Sequence, residues 1–145
     1  MKRVNIHKIE PDVYKAMMGL EQYLSTTDIS AIQMELIKIR ASQINGCAFC
    51  LDMHTKDALK IGESPQRIFL LNAWKETDLF SEEERSILAM TEEVTLIHQQ
   101  GLSNETYAKA LDLFGEKRVA QLIMAMVTIN SWNRIAIATN LPLGK

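Results

Sequence analysis

Apolar residues recur every three or four positions through most of this chain, which is the spacing of one face of an α-helix. The first such set follows Pro11, whose fixed φ suits the first turn of a helix. It comprises Val13, Met17, Leu20 and Leu24. The next set comprises Ile29, Ile32, Leu36, Ile39 and Ile44. Because no segment shows sustained alternation of apolar and polar residues, the pattern predicts an all-α protein.

Short polar or glycine-containing segments divide this pattern into about seven predicted helices. Capping residues, prolines and glycines mark the boundaries. The boundaries are Thr26-Thr27-Asp28, Asn45-Gly46, Gly62, Ser64-Pro65, a capping box of Ser81 with Glu84, Gly101, Ser103 and Gly115. The last helix is predicted from about Glu116 to Thr139, before Asn140 and Pro142. With no linker or low-complexity tract between them, we expect one helical domain over residues 1–145.

The composition of the chain argues against two classes of binding partner, nucleic acids and membranes. The 145 residues are 47% hydrophobic and 23% charged, with a formal net charge of -2. The chain has no basic excess that would favour nucleic acid or an anionic membrane surface, so neither is an expected partner. The most apolar stretch, Val119 to Ile129, is too short to span a bilayer. The basic N-terminal residues are not followed by an apolar run of signal-peptide length, and we expect a cytoplasmic protein.

The two cysteines provide the clearest chemical signal. Cys47 and Cys50 are separated by two residues, and His54 follows four positions after Cys50. On a helix these three side chains share one face. Asn45-Gly46 places them near a helix N-terminus, where the helix dipole favours a thiolate, and His54 can accept a proton or hold the anion. In a reducing compartment such a pair is typical of catalysis or metal binding rather than of a permanent crosslink.

Glu35 is the candidate that would orient His54. It lies beside the apolar stripe of the preceding helix, which can fold back on the cysteine helix. A nucleophile, a base and an orienting carboxylate form a common catalytic unit. His7 and His98 have no partners in sequence, and we interpret them as ordinary surface or boundary residues. Trp132, Asn133 and Arg134 either line a pocket or have a structural role at an interface.

Glu35, Cys47, Cys50 and His54 match the pattern E-x(11)-C-x-x-C-x-x-x-H. The chain therefore resembles the alkylhydroperoxidase D-like group of the carboxymuconolactone decarboxylase superfamily, and the stretch from Ile129 to Arg134 resembles its shorter members. The resemblance implies an all-α fold, homo-oligomers (trimers or hexamers) and thiol-dependent reduction of small hydroperoxides. It implies that Cys50 reacts with peroxide and that Cys47 resolves the sulfenic acid as a disulfide. Glu35 and His54 would form the proton relay, with no cofactor and no metal.

One departure from the group concerns Phe49, which stands where well-studied members place a second histidine. The electron donor is not indicated, and a dihydrolipoyl or thioredoxin-like reductant is expected. A non-enzymatic redox sensor or disulfide-exchange module is an alternative, as is a lactone decarboxylase. A structural zinc site is a further alternative, because Cys47, Cys50 and His54 supply three ligands. Such a site needs a fourth, from Glu35, Asp52 or another subunit.

Overall fold

The computed structural model describes residues 1–144, which form eight α-helices and one 3-10 helix. The α-helices are α1 (Ile6–Ile9), α2 (Pro11–Leu24), α3 (Ala31–Asn45), α4 (Ala48–Lys60), α5 (Pro65–Phe69), α6 (Glu82–Thr95), α7 (Ile97–Gln100) and α8 (Asn104–Thr139); the 3-10 helix is Leu71–Glu76. Residues 1–144 contain no β-strand. The predicted all-α fold is confirmed.

Several predicted boundaries differ from the observed ones. Helix α3 begins after Ser30, whose side chain forms a capping box with Gln33. This start lies beyond the predicted boundary at Thr26-Thr27-Asp28. Leu96 interrupts the predicted helix that Gly101 was expected to close, so α6 and α7 are separate. Gly115 has a non-helical φ of 75° within α8, and the predicted break there is confirmed as a kink. Ser30 and Gly115 are local signals for two of these boundaries, whereas the break at Leu96 has no side-chain cap.

Helix α3 lies at the centre and contacts α4, α6 and α8. One of its faces packs with α6 and α8 in a core that includes Ile37, Met90 and Met126, all fully buried. Its other face packs with α4 and the 3-10 helix through residues such as Leu36 and Leu71. Because α3 is covered on both sides, its C-terminal end and the cysteine-containing turn that follows are held by the rest of the bundle.

Helix α2 is attached differently. Leu24 is its only fully buried residue, whereas Val13, Tyr14 and Met18 are exposed. The helix contacts α1 and α8. It therefore forms an outer wall of the molecule rather than part of the central bundle.

A buried ion-pair cluster joins α5 to α6 and supplies a test of acid stability. Arg67 pairs with Glu63 at 2.9 Å and with Glu84 at 2.6 Å. Burial by itself raises the pKa of Glu84, but hydrogen bonds from Arg67 and Ser81 and the Arg67 charge outweigh it, so the pKa lies below its ordinary 4.5. A lowered folded-state pKa stabilises the fold above pH 4.5, and this contribution is lost as the pH falls through the folded-state value.

We therefore expect Glu84→Gln to lower the free energy of unfolding by about 1 to 2 kcal/mol at pH 7 and by less at pH 3. Urea denaturation at the two pH values measures this difference. Glu82→Gln, an exposed position on the same helix, is the matched control. An equal loss at both pH values would contradict the assignment to the ionised carboxylate.

Candidate active site

The turn between α3 and α4 sets the position of both cysteines. Gly46 adopts the left-handed conformation, with φ 69° and ψ 35°, and ends α3. A residue with a Cβ rarely adopts this conformation, so glycine suits the position. The backbone N–H of Cys47 then donates to the carbonyl of Ser42 at 3.0 Å. The chain is thereby redirected within two residues, and α4 begins at Ala48.

Cys47 is the N-cap residue of α4 rather than a member of its first turn. Its Sγ accepts a hydrogen bond from the backbone N–H of Cys50 at 3.4 Å, and the two side chains form a disulfide with their Cα atoms 5.4 Å apart. Sulfur at a helix N-terminus faces unpaired N–H groups and the positive end of the helix dipole. Both features favour the thiolate once the disulfide is reduced.

The two sulfurs differ in what surrounds them, although both residues are buried, with 1% of Cys47 and 2% of Cys50 exposed. Ala136 of α8 and the half-buried Phe49 pack against the pair. Phe49 therefore supplies an apolar cover where a second histidine would supply a polar one. Cys50 lines the large cavity described below, and Cys47 does not.

His54 follows Cys50 by one turn of α4 and is buried. Its Nδ1 lies 2.9 Å from Oε2 of Glu35 on α3. A carboxylate accepts the Nδ1 hydrogen, which leaves Nε2 of a neutral imidazole as the proton acceptor. His54 also lines the cavity beside Cys50. The structure therefore brings together the four residues of the predicted unit in the expected order: thiols, imidazole, carboxylate.

Two charged residues that are not among the predicted site residues extend this unit. Nζ of Lys38 lies 3.7 Å from Oε1 of Glu35 and 3.9 Å from Oε2 of Glu21 on α2. Trp132 of α8 donates from Nε1 to Oε1 of Glu21 at 2.9 Å. Lys38 is one turn from Glu35, which a helical spacing rule identifies. Glu21 and Trp132 are 111 positions apart, and no local pattern pairs them.

A cavity of about 780 Å³ opens beside Cys50 and His54. Its apolar walls include Tyr14 and Met17 of α2 and Trp132 and Ile135 of α8. Residues 1–7 form the remaining side, where Arg3 donates to the carbonyls of Ile137 and Ala138 at the end of α8. The cavity is large enough for an organic molecule with an apolar body to reach the Cys50 sulfur.

The remaining candidates are not part of the thiol–imidazole–carboxylate unit. Asp52 pairs with Lys56 on the surface of α4, at 2.8 Å, and does not form a set of metal ligands with the cysteines and His54. In residues 1–144, His, Cys, Asp and Glu form no group of three that could hold a metal ion. His7 stacks against Tyr14 with ring centroids 4.2 Å apart, and His98 is exposed on α7. Of the stretch at 132–134, Trp132 lines the cavity and Asn133 is fully buried.

The sequence and fold of this chain match those of known proteins. The sequence profile of the Carboxymuconolactone decarboxylase family matches residues 11–93, a range that contains all four residues of the site. The uncharacterized protein YdfG of Bacillus subtilis (strain 168) is 45% identical over 137 residues, covering 94% of this chain and 93% of YdfG. The chain belongs to the carboxymuconolactone decarboxylase family.

Similar solved structures indicate which group of the family the chain belongs to. The crystal structure of ATU0492 from Agrobacterium tumefaciens has a TM-score of 0.95 and 35% identity, covering 100% of this chain and 99% of that one. ATU0492 is described as a protein of unknown function and is suggested to be the antioxidant defence protein AhpD. The debrominase Bmp8 shares the fold, with a TM-score of 0.81 and 18% identity over 92% of this chain and 72% of its own. Within its superfamily the chain is an alkylhydroperoxidase D-like member.

Over the described part of the chain, residues 1–144, no helix is both long and apolar enough to cross a membrane.

Proposed function

We propose that this protein is a thiol peroxidase that reduces organic hydroperoxides through Cys50 and Cys47. The observation that carries the proposal is the Cys47–Cys50 disulfide next to the His54–Glu35 pair, with Cys50 and His54 lining one cavity. A cysteine pair positioned to form a disulfide, with a proton carrier one turn away, suits a two-electron reduction of peroxide.

In the first step, the Cys50 thiolate attacks one peroxide oxygen and the O–O bond breaks. His54, which has accepted the thiol proton of Cys50, gives that proton to the leaving alkoxide; the alcohol departs and Cys50 becomes a sulfenic acid. Cys47 then attacks the Cys50 sulfur, the S–OH bond breaks, and water leaves as the disulfide forms. A dithiol donor returns two electrons and two protons, so one hydroperoxide and one dithiol become one alcohol, one water and one disulfide.

The burial of the sulfurs bears on the choice of reductant. A protein dithiol exchanges with a disulfide only if its sulfur can approach in line with the S–S bond. Because the sulfurs lie beneath Phe49 and Ala136, a slender dithiol such as a dihydrolipoyl group fits the cavity better than a folded thioredoxin-like domain. We propose a dihydrolipoyl-type donor, and we place the protein in the cytoplasm, where such dithiols stay reduced.

The test is continuous turnover of cumene hydroperoxide with dihydrolipoamide as the reductant, with the Cys47–Cys50 disulfide followed by alkylation and mass spectrometry. We expect many equivalents of alcohol per subunit, with the disulfide as an intermediate. One equivalent of oxidation without turnover, with dihydrolipoamide or with thioredoxin, would contradict the proposal. It would favour the redox sensor instead. Lactone decarboxylation has no use for the dithiol, and no feature of this site favours it.

The cavity predicts the size of the preferred substrate. Ile135→Trp should fill part of the apolar wall and lower kcat/KM for cumene hydroperoxide about tenfold, with hydrogen peroxide almost unaffected. The matched control is Val127→Trp, at an exposed position of α8 that does not line the cavity. Equal losses for both peroxides in Ile135→Trp would show that the cavity does not bind the substrate body.

We also propose a homo-oligomer, a trimer or hexamer. The support for this proposal is the membership of the carboxymuconolactone decarboxylase family, because the resemblance to that family implies such assemblies. The exposed Val13 and Met18 of α2 line the cavity, and Met124 and Met126 of α8 lie in or against the core, so neither pair supplies a free apolar surface. Sedimentation at micromolar concentration should give a mass of at least three chains, whereas a monomer would contradict the assembly.

A further inference from the structure

A network of buried and half-buried side-chain amides joins α8 to the end of α3, just before the cysteine turn, and its members do not line the cavity. Asn133 of α8 is fully buried. Its Nδ2 donates to Oγ of Ser42 at 3.0 Å, and its Oδ1 accepts from Nδ2 of Asn45 at 2.9 Å. One amide of α8 thus bonds to two residues that bracket the last turn of α3.

Asn45 is the central member of this network. Its Nδ2 also donates to Oδ1 of Asn130 at 2.9 Å. Asn130 in turn donates to Oγ1 of Thr95 at 3.0 Å, and its Oδ1 accepts from Arg134 at 3.1 Å. A side chain that donates to two acceptors on α8 has little freedom, so the network fixes the residue before Gly46.

The backbone of Cys47 is held by a member of the same network. Ser42, held by Asn133 through its hydroxyl, accepts the Cys47 N–H with its carbonyl at 3.0 Å. Ala136, one turn beyond Asn133 on α8, packs against the two cysteines. The same face of α8 therefore holds the turn that carries Cys47 and covers the disulfide that Cys47 forms.

We infer that Asn45, held by Asn130 and Asn133, is a positioning residue that sets the dithiol–disulfide equilibrium of Cys47 and Cys50. With the turn held, the Cα atoms of the two cysteines stay at a separation that a disulfide can bridge. Without it, the flexible Gly46 lets the reduced Cys47 leave that position. The effective concentration of one thiol near the other then falls, and the disulfide is less favoured.

The test is the dithiol–disulfide equilibrium of Asn45→Ala in defined dithiothreitol redox buffers, read by alkylation and mass spectrometry. We expect the equilibrium to move about tenfold towards the dithiol, which is about 30 mV for a two-electron couple. Asn45→Ser, smaller than asparagine and still polar, is measured alongside, and thermal unfolding establishes that each variant is folded. An equilibrium within about twofold of wild type in either folded variant would overturn the inference.

Thr95→Val is the matched control. It removes the acceptor for Asn130 at the far end of the same network, keeps the volume, and leaves the Asn45 bonds in place. We expect it to leave the equilibrium within about twofold of wild type. A shift as large as that of Asn45→Ala would mean that general loosening of the core is responsible, and would overturn the positioning role.

A second readout rests on the proposed peroxidase function. If Cys47 is displaced, the Cys50 sulfenic acid survives longer and excess peroxide converts more of it to sulfinic acid. We expect a several-fold larger sulfinic fraction in Asn45→Ala than in wild type. The redox-buffer measurement needs no peroxide, so its result stands even if the protein proves not to be a peroxidase.

Discussion

Replacing Cys50 with serine is expected to abolish peroxide turnover, with a loss of at least about a thousandfold in kcat/KM. The reason is that a serine hydroxyl does not ionise near neutral pH, and no other thiol lines the cavity. Steady-state consumption of cumene hydroperoxide with dihydrolipoamide measures this loss. Turnover close to wild type in Cys50→Ser would remove Cys50 from the mechanism.

Cys47→Ser is the matched variant, because it also removes one buried sulfur of the same pair. We expect it to react with one equivalent of peroxide and then stop, because the Cys50 sulfenic acid has no partner thiol. Dimedone should label Cys50 in this variant, and longer exposure should give sulfinic acid. If Cys50→Ser instead showed the single oxidation and Cys47→Ser none, the roles of the two cysteines would be reversed.

Loss of His54 should have the second largest effect. We expect His54→Ala to lower kcat/KM for hydroperoxide about 10²- to 10⁴-fold, the range for removal of a positioned acid–base group. In the reduced protein, the thiol pKa of Cys50 should lie below the ordinary value of about 8.5 and rise in this variant. The rate of alkylation by iodoacetamide against pH measures the thiol directly.

Glu35→Gln should reproduce part of this loss. Glutamine retains the size of the side chain, but it lacks the charge that stabilises a protonated His54 at 2.9 Å. The control is His7→Ala, because His7 also lines the cavity but stacks on Tyr14 rather than on a carboxylate. A His54→Ala protein with wild-type alkylation and turnover would show that the imidazole is not the proton carrier.

Local signals predicted the cysteine helix because they act over a few residues. Gly46 ends α3 in the left-handed conformation, and Cys47 follows it as the N-cap of α4. The spacing of Cys47, Cys50 and His54 placed a sulfur and an imidazole on one face. The pitch of α4, which its own backbone hydrogen bonds set, places Cys50 and His54 one turn apart on the same face.

Apolar spacing predicted the helices but was less reliable at their ends. The stretch after Ser64-Pro65 has helical spacing, yet it divides into α5 and a 3-10 helix at Leu70. Apolar spacing indicates which residues face the core. Over a few residues, an α-helix and a 3-10 helix can both turn the same residues towards the core. Arg67 and Arg85 bond to carbonyls in this region, and those long-range partners have no local signature.

The sequence by itself determined the helical class, the turn at Gly46 and the shared face of Cys50 and His54, because each depends on contacts within about one helical turn. The tertiary structure alone decided the rest of the site. It brought Glu35 to His54, which is 19 positions away, and Asn45 to Asn133, which is 88 positions away. It also brought Glu21 to Lys38. It also formed the cavity from α2, α4 and α8. Such contacts depend on how whole helices pack, and the packing of α8 against α3 is settled by the complete core rather than by any one segment.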